Sequence, residues 1–120
     1  DPVEDADIFL AYGRYPQAEK ILKEALALEP DRLDVLLKLA QVYSHQKELA
    51  SFDTVAETIA NVTSKAGAYW ERLVALGYLI NPTDERYAEG KFASERQASM
   101  KPVDLSSIDL DLGNPSSPKS

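Results

Sequence analysis

The stretch Ala11-Tyr12-Gly13-Arg14-Tyr15-Pro16-Gln17-Ala18-Glu19-Lys20-Ile21-Leu22-Lys23-Glu24-Ala25-Leu26 decides the fold. Gly13 is a left-handed stop for a helix arriving from the N-terminal side, because it lacks the Cβ that penalises positive φ. Pro16 then opens a new helix, where its fixed φ suits the first turn and its missing N–H costs nothing. Beyond it Ala18, Ile21, Leu22, Ala25 and Leu26 recur at three- and four-residue steps, one stripe of an amphipathic helix. Glu29-Pro30-Asp31 breaks that helix. The reading is a helix, a tight turn and a second helix.

Working outward, Pro2 suits the start of the first helix, and Glu4, Asp5 and Asp7 complement the positive end of its dipole up to about Ala11. Leu33, Leu36, Leu37, Leu39, Ala40 and Tyr43 mark a third helix. Phe52, Val55, Ala56, Ile59 and Ala60 mark a fourth, with Ser51 as its expected N-cap. Gly67 separates a fifth, carrying Trp70, Leu73, Val74 and Leu76 and closed by Asn81-Pro82. Residues 83–100 are more polar and less periodic, read as an arm or a short helix near Asp84 to Lys91. Residues 101–120 turn to Pro, Ser, Asp and Gly and read as a disordered acidic tail. No segment alternates with the period of a strand, so the expected fold is all-α, with residues 1–82 as the folded domain.

Self-comparison exposes an internal repeat of 34 residues. Asp5, Leu39 and Leu73 share one column; Ala6, Ala40 and Val74 the next; Phe9, Tyr43 and Gly77 another. Trp70 follows Leu36 at the same offset, and in the second helices Ala18 aligns with Phe52, Leu22 with Ala56 and Ala25 with Ile59. Those last pairs exchange small for large in opposite senses, which conserves volume where helices meet.

Ala6, Phe9, Gly13, Tyr15, Ala18, Leu22, Ala25 and Pro30 together resemble the tetratricopeptide repeat. The second unit supplies Leu36, Leu39, Ala40 and Tyr43, then drifts, with Ser64 in the column of the terminal proline. The third supplies Trp70 and Leu73, then departs, with Arg86, Gly90 and Ala98 in its later columns. The resemblance implies an α-solenoid of about two and a half helix-turn-helix repeats, the fifth helix capping the second unit. Trp70 is read as a packing residue.

The run from Ala11 to Leu26 is more particular than a generic repeat. Together with Asp1-Pro2, Leu37-Lys38-Leu39-Ala40-Gln41-Val42-Tyr43, Trp70-Glu71, Gly77 to Asn81-Pro82 and the alternation Asp109-Leu110-Asp111-Leu112, it is similar to the cytoplasmic repeat region of the FimV/HubP/TspA family. Those are bacterial inner-membrane proteins with a periplasmic peptidoglycan-binding part. The resemblance implies a fragment on the cytoplasmic face of a polar scaffold that recruits type IV pilus and polarity factors for twitching motility.

Composition narrows the alternatives. With 20 acidic and 13 basic residues in 120, the net charge of -7 disfavours nucleic acid and anionic membrane surfaces. The absence of cysteine removes disulfides and thiolate metal sites, and one histidine, His45, leaves little for Cys–His catalysis or zinc. His45 is read as complementing the negative end of the third helix. Asp109-Leu110-Asp111-Leu112-Gly113 imitates the start of a calcium loop, but Gly113 and Ser120 stand where later ligands belong. No catalytic residue, metal or cofactor is expected. Acidic and basic side chains are read as solvated faces paired with Lys20, Lys23 and Lys38.

The expected partner is a protein helix or extended segment, held on the concave face lined by first helices. The repeat register assigns that face Asp7, Leu10 and Ala11 in unit one, and Asp34, Leu37, Gln41, Ser44 and His45 in unit two. These residues lack the Lys-and-Asn clamp with which co-chaperone repeats hold a terminal carboxylate. A self-associating assembly module and an adaptor unrelated to pili are the alternative readings, with a monomer favoured.

Overall fold

The turn at Gly13 forms as its sequence requires, and the chain forms it again one repeat later. Gly13 has φ +70. Its amide donates to the Leu10 carbonyl at 3.0 Å and the Arg14 amide to the Phe9 carbonyl at 2.8 Å, the paired bonds that close a helix through a left-handed residue. Thirty-four residues on, Lys47 has φ +58. The Lys47 amide donates to Ser44 at 3.1 Å and the Glu48 amide to Tyr43 at 3.0 Å. All four residues of the motif are displaced by one repeat.

The computed structural model describes residues 1–99. Its order is α1 (Pro2–Ala11), α2 (Tyr15–Leu28), α3 (Leu33–Gln46), α4 (Leu49–Thr63), α5 (Ala68–Ile80) and α6 (Gly90–Ser99), with a 3-10 turn, Glu85–Tyr87, before α6. There is no strand among the described residues. The tail assigned to residues 101–120 lies outside them.

The helices pair as antiparallel hairpins, α1 with α2, α3 with α4 and α5 with α6. Each hairpin stacks on the next through α2 against α3 and α4 against α5, and the first helices also touch, α1 on α3 and α3 on α5. This is the expected all-α repeat solenoid. The core runs through the stack: Ala6, Ala18 and Leu22 are buried in the first hairpin, Leu36, Leu39, Ala40, Tyr43, Phe52 and Ile59 in the second, and Trp70 and Leu73 in the third. The aligned residues Ala18 and Phe52, and Leu22 and Ala56, are all buried, so the exchange of small for large occurs inside the core.

Two boundaries differ from the sequence reading. Helix α4 begins at Leu49, directly after the left-handed turn, so Ser51 is not its N-cap; the Ser51 hydroxyl donates to Glu48 Oε1 at 3.4 Å. The short helix expected over Asp84 to Lys91 is a 3-10 turn capped by Asp84, which accepts the Arg86 amide at 2.9 Å, followed by α6. Glycine explains the second difference. A Cβ on Gly90 would run into the Val74 carbonyl, so the first residue of α6 rests on the α5 backbone. The fifth helix covers the second hairpin, and α6 folds back to cover it in turn.

The loop after the second hairpin also leaves the repeat. Ser64 and Lys65 take φ +56 and +59, and Gly67 takes +96. Pro30, which occupies the Ser64 column, cannot adopt a positive φ because its ring fixes that angle near −65°. The two loops must therefore follow different paths.

Candidate functional site

The first helices α1 and α3 lie in contact, and the sequence reading assigns eight of their residues to a partner. Asp7 and Ala11 are exposed and Leu10 half-buried on α1; His45 is exposed and Asp34, Gln41 and Ser44 half-buried on α3. Leu37 differs, since only 7% of it is exposed. It faces the packing around α3, which touches helices on several sides, and presents almost no surface to a ligand.

The polar members are held in place. Lys38 on α3 reaches Asp7 on α1 at 2.6 Å, tying two first helices together across the row. Asp34 accepts from Arg32 Nε and from the Val35 amide, each at 2.9 Å. The Arg32 guanidinium, with help from that amide, holds the Asp34 carboxyl below the usual carboxylate range. The Ser44 hydroxyl donates to the Gln41 carbonyl at 2.7 Å and is thereby turned back onto its own helix. The His45 ring stacks on Tyr15, centroids 5.6 Å apart and planes 6° from parallel. The end of α3 is thus pinned to the start of α2. The Gln41 amide and the Ala11 methyl complete the row beside the fixed Asp7–Lys38 pair.

The sequence reading missed the polar contacts behind this row. Tyr43, buried in α3, donates its hydroxyl to Glu19 Oε2 on α2 at 2.9 Å, and Lys23 grips the same oxygen at 2.9 Å. Hydrogen bonding from Lys23, more than from Tyr43, keeps the Glu19 carboxyl below its ordinary value, while burial raises the Tyr43 phenol. In the third hairpin the Tyr87 hydroxyl donates to Asp53 Oδ1 on α4 at 2.6 Å. Burial and that carboxylate push the phenol far up. Arg86 meets the other Asp53 oxygen at 2.9 Å and lies over the Tyr87 ring. Glu19 and Asp53 are one repeat apart. That shared acid column was available as a signal. The buried Trp70 donates its indole N–H to Glu89 at 2.6 Å.

No group of histidine, cysteine and carboxylate side chains suited to a metal occurs among the described residues. No helix there is long and apolar enough to cross a membrane. The row is a fixed, mixed polar and apolar surface, suited to contacting a polypeptide.

Comparison with known proteins agrees with the repeat register. The family model for the tetratricopeptide repeat matches residues 9–77, more than half of the chain. Motility hub protein FimV from two strains of Pseudomonas aeruginosa is 42% identical over 52 residues, which is 43% of this chain and 6% of the relative. The chain therefore spans only a small part of the length of those relatives. No solved structure matches it significantly.

Proposed function

The chain belongs to the tetratricopeptide repeat family, and from that premise we propose that it is the recruiting domain of a bacterial polar scaffold, gathering pilus and polarity factors on the cytoplasmic face of the inner membrane. Tetratricopeptide repeats are protein–protein interaction modules, and the fold itself is non-catalytic. The finer reading is supported by one observation above the others: the 52 residues that match a protein described as a motility hub at 42% identity. A hub must hold several proteins. Stacked hairpins suit that task, because each unit adds surface without needing a new core.

In this reading the partner lies along the first helices as a helix or an extended segment. The Asp7–Lys38 pair supplies a fixed dipole, with Ala11 and Gln41 one turn further along their helices. Leu37 contributes packing. The deciding experiment is affinity capture from the lysate of a polarly piliated bacterium, with the wild type and an Ala11→Arg/Gln41→Arg variant compared. Pilus, polarity or chemosensory proteins should be retained by the wild type and lost from the variant, with unchanged helicity. Capture of none of these by the wild type overturns the scaffold reading, and equal capture by both proteins moves the site off this row.

A further inference from the structure

Between α4, α5 and the 3-10 turn lies a recess of about 240 Å³, walled by Ala56, Ala60, Trp70 and Tyr87. Glu57, Lys65 and Arg86 stand around it. The repeat explains why it is there. One unit earlier the positions of Ala56, Ala60 and Arg86 carry Leu22, Leu26 and Phe52. Leu22 and Phe52 are fully buried and Leu26 half-buried. Three large apolar side chains have thus given way to two methyls and a guanidinium, which Asp53 and Asp84 hold by ion pairs. The exchanges of Leu36 for Trp70 and of Asp53 for Tyr87 add rings in return, and the recess is the space they leave unfilled. Lys65 and Trp70 also line a neighbouring groove with Gly67, Phe92 and Arg96, which leads from the recess towards the loop between α4 and α5.

We infer that this recess is a binding site for the chain's own segment Val103-Asp104-Leu105, with the Leu105 side chain taking the place of the lost leucines. Helix α6 lies antiparallel on α5, Arg96 reaching Glu71 at 3.5 Å, so it delivers the chain to the end where Lys65 and Gly67 stand. Pro102 cannot continue a helix and favours an extended residue before it. Leu105 lies six residues beyond Ser99, the end of α6. Extended, those residues span up to roughly 20 Å, while α4 from Lys65 back to Ala56 covers only roughly 13 Å. In an extended segment Val103 and Leu105 share one face and Asp104 takes the other. That places Asp104 beside Lys65, which has no ion-pair partner among the described residues. Leu110 and Leu112 suit the recess less well, since Asp109 and Asp111 beside them would meet the like charge of Glu57. The tether also favours this occupant over a separate molecule, because a short linker holds it at an effective concentration on the order of millimolar.

The chain has no cysteine, so Ser107→Cys carries a single nitroxide spin label on the isotopically labelled full chain. In NMR spectra the docked label should broaden the amides of Ala56 and Arg86 and leave those of Ala11 and Gln41 sharp. Leu105→Asp, which changes the tail alone, should restore the broadened signals. Ala56→Leu/Ala60→Leu, which returns the residues of the first unit and fills the recess, should restore the Arg86 signal as well. Leu112→Asp should restore neither. Lys65→Glu should weaken the broadening, and Lys65→Glu/Asp104→Lys should recover it. Sharp Ala56 and Arg86 signals in the labelled chain, broadening that survives Leu105→Asp, or equal release by Leu112→Asp would each overturn the proposal. So would broadening caused by a separate spin-labelled chain, which assigns the recess to a second copy. No residue of the first-helix row lines the recess, so none of these outcomes bears on the capture experiment.

Discussion

The ring of Tyr87 lies on the bare backbone of Gly77, in the column where the earlier hairpins carry Phe9 and Tyr43. A Cβ on Gly77 would sit 2.5 Å from the ring carbon Cγ. The third unit has lost its aromatic residue at the repeat position and recovered one from ten residues further along. Even the polar contact is recovered, for Tyr87 donates to Asp53 as Tyr43 donates to Glu19, and the two acids share a column. The niche is conserved in space while the residue that fills it has moved in sequence. Tyr87 also meets Phe52 edge-on, centroids 5.5 Å apart, which carries the contact into the second hairpin.

Gly77→Ala should therefore destabilise the protein by about 2 kcal/mol, although alanine is the better helix former, because the methyl overpacks against a buried ring. Tyr87→Ala should cost about 3–5 kcal/mol. The two should not add: with the ring gone, the added methyl on residue 77 meets open space and helix propensity reverses its sign. Denaturant unfolding of both single variants and the double variant checks this, and additive losses would contradict the contact.

The Glu19 contact predicts how stability responds to acid. Lys23 first, and Tyr43 after it, hold the Glu19 carboxyl below its ordinary value of 4.5. A carboxyl depressed in the folded state contributes stability that is present above 4.5 and lost as pH falls through the lower folded value. Asp34, depressed by Arg32, and Asp84, depressed by Arg86, act in the same direction from an ordinary value of 3.8. Unfolding midpoints should stay level from neutral pH down to the carboxylate range and then fall. Glu19→Gln should make that fall shallower, and Tyr43→Phe should do so less while costing about 1 kcal/mol at neutral pH. A Glu19→Gln variant with the full acid loss would show the contact to be energetically idle.

Much of this architecture was legible because its signals are local. Gly13, Pro16, Pro30, Gly67 and Pro82 each act within a turn, and the offset of 34 needs only comparison of the chain with itself. What was not legible depended on distance in space. Lys47 gives no outward sign that its φ is positive, so the start of α4 was placed at Ser51, a good capping residue in the wrong position. Gly90 reads as a helix breaker, and only the closeness of the Val74 carbonyl shows why a helix begins there. Within the assigned row, the register could not distinguish Gln41, half-buried, from Leu37, which α3 turns into the core.

That distinction is itself measurable. Leu37→Glu places a carboxylate where 7% of the side chain is exposed, and it should cost roughly 3 kcal/mol or more, enough to unfold a marginal domain. Gln41→Glu, one turn away on the same helix, should leave stability within about 0.5 kcal/mol. Thermal unfolding of the two variants separates them, and equal melting temperatures would return Leu37 to the surface row.

Lys47 offers the opposite experiment, a substitution that should stabilise. It repeats the Gly13 turn with the same pair of backbone bonds, yet it carries a Cβ in the left-handed region at φ +58, where a side chain costs about 1–2 kcal/mol. Lys47→Gly removes that strain but gives the unfolded chain more freedom, so the net gain should be about 0.5–1 kcal/mol. Gly13→Ala should lose about the same amount. A Cβ at Gly13 would meet nothing within 4 Å, so its cost would be backbone strain alone and not a clash. The two variants are thus the same exchange performed in opposite directions at equivalent points of the repeat. Calorimetric melting of both should give shifts of opposite sign and similar size. Shifts of the same sign would mean that the two turns, alike in their hydrogen bonds, differ in the strain they store.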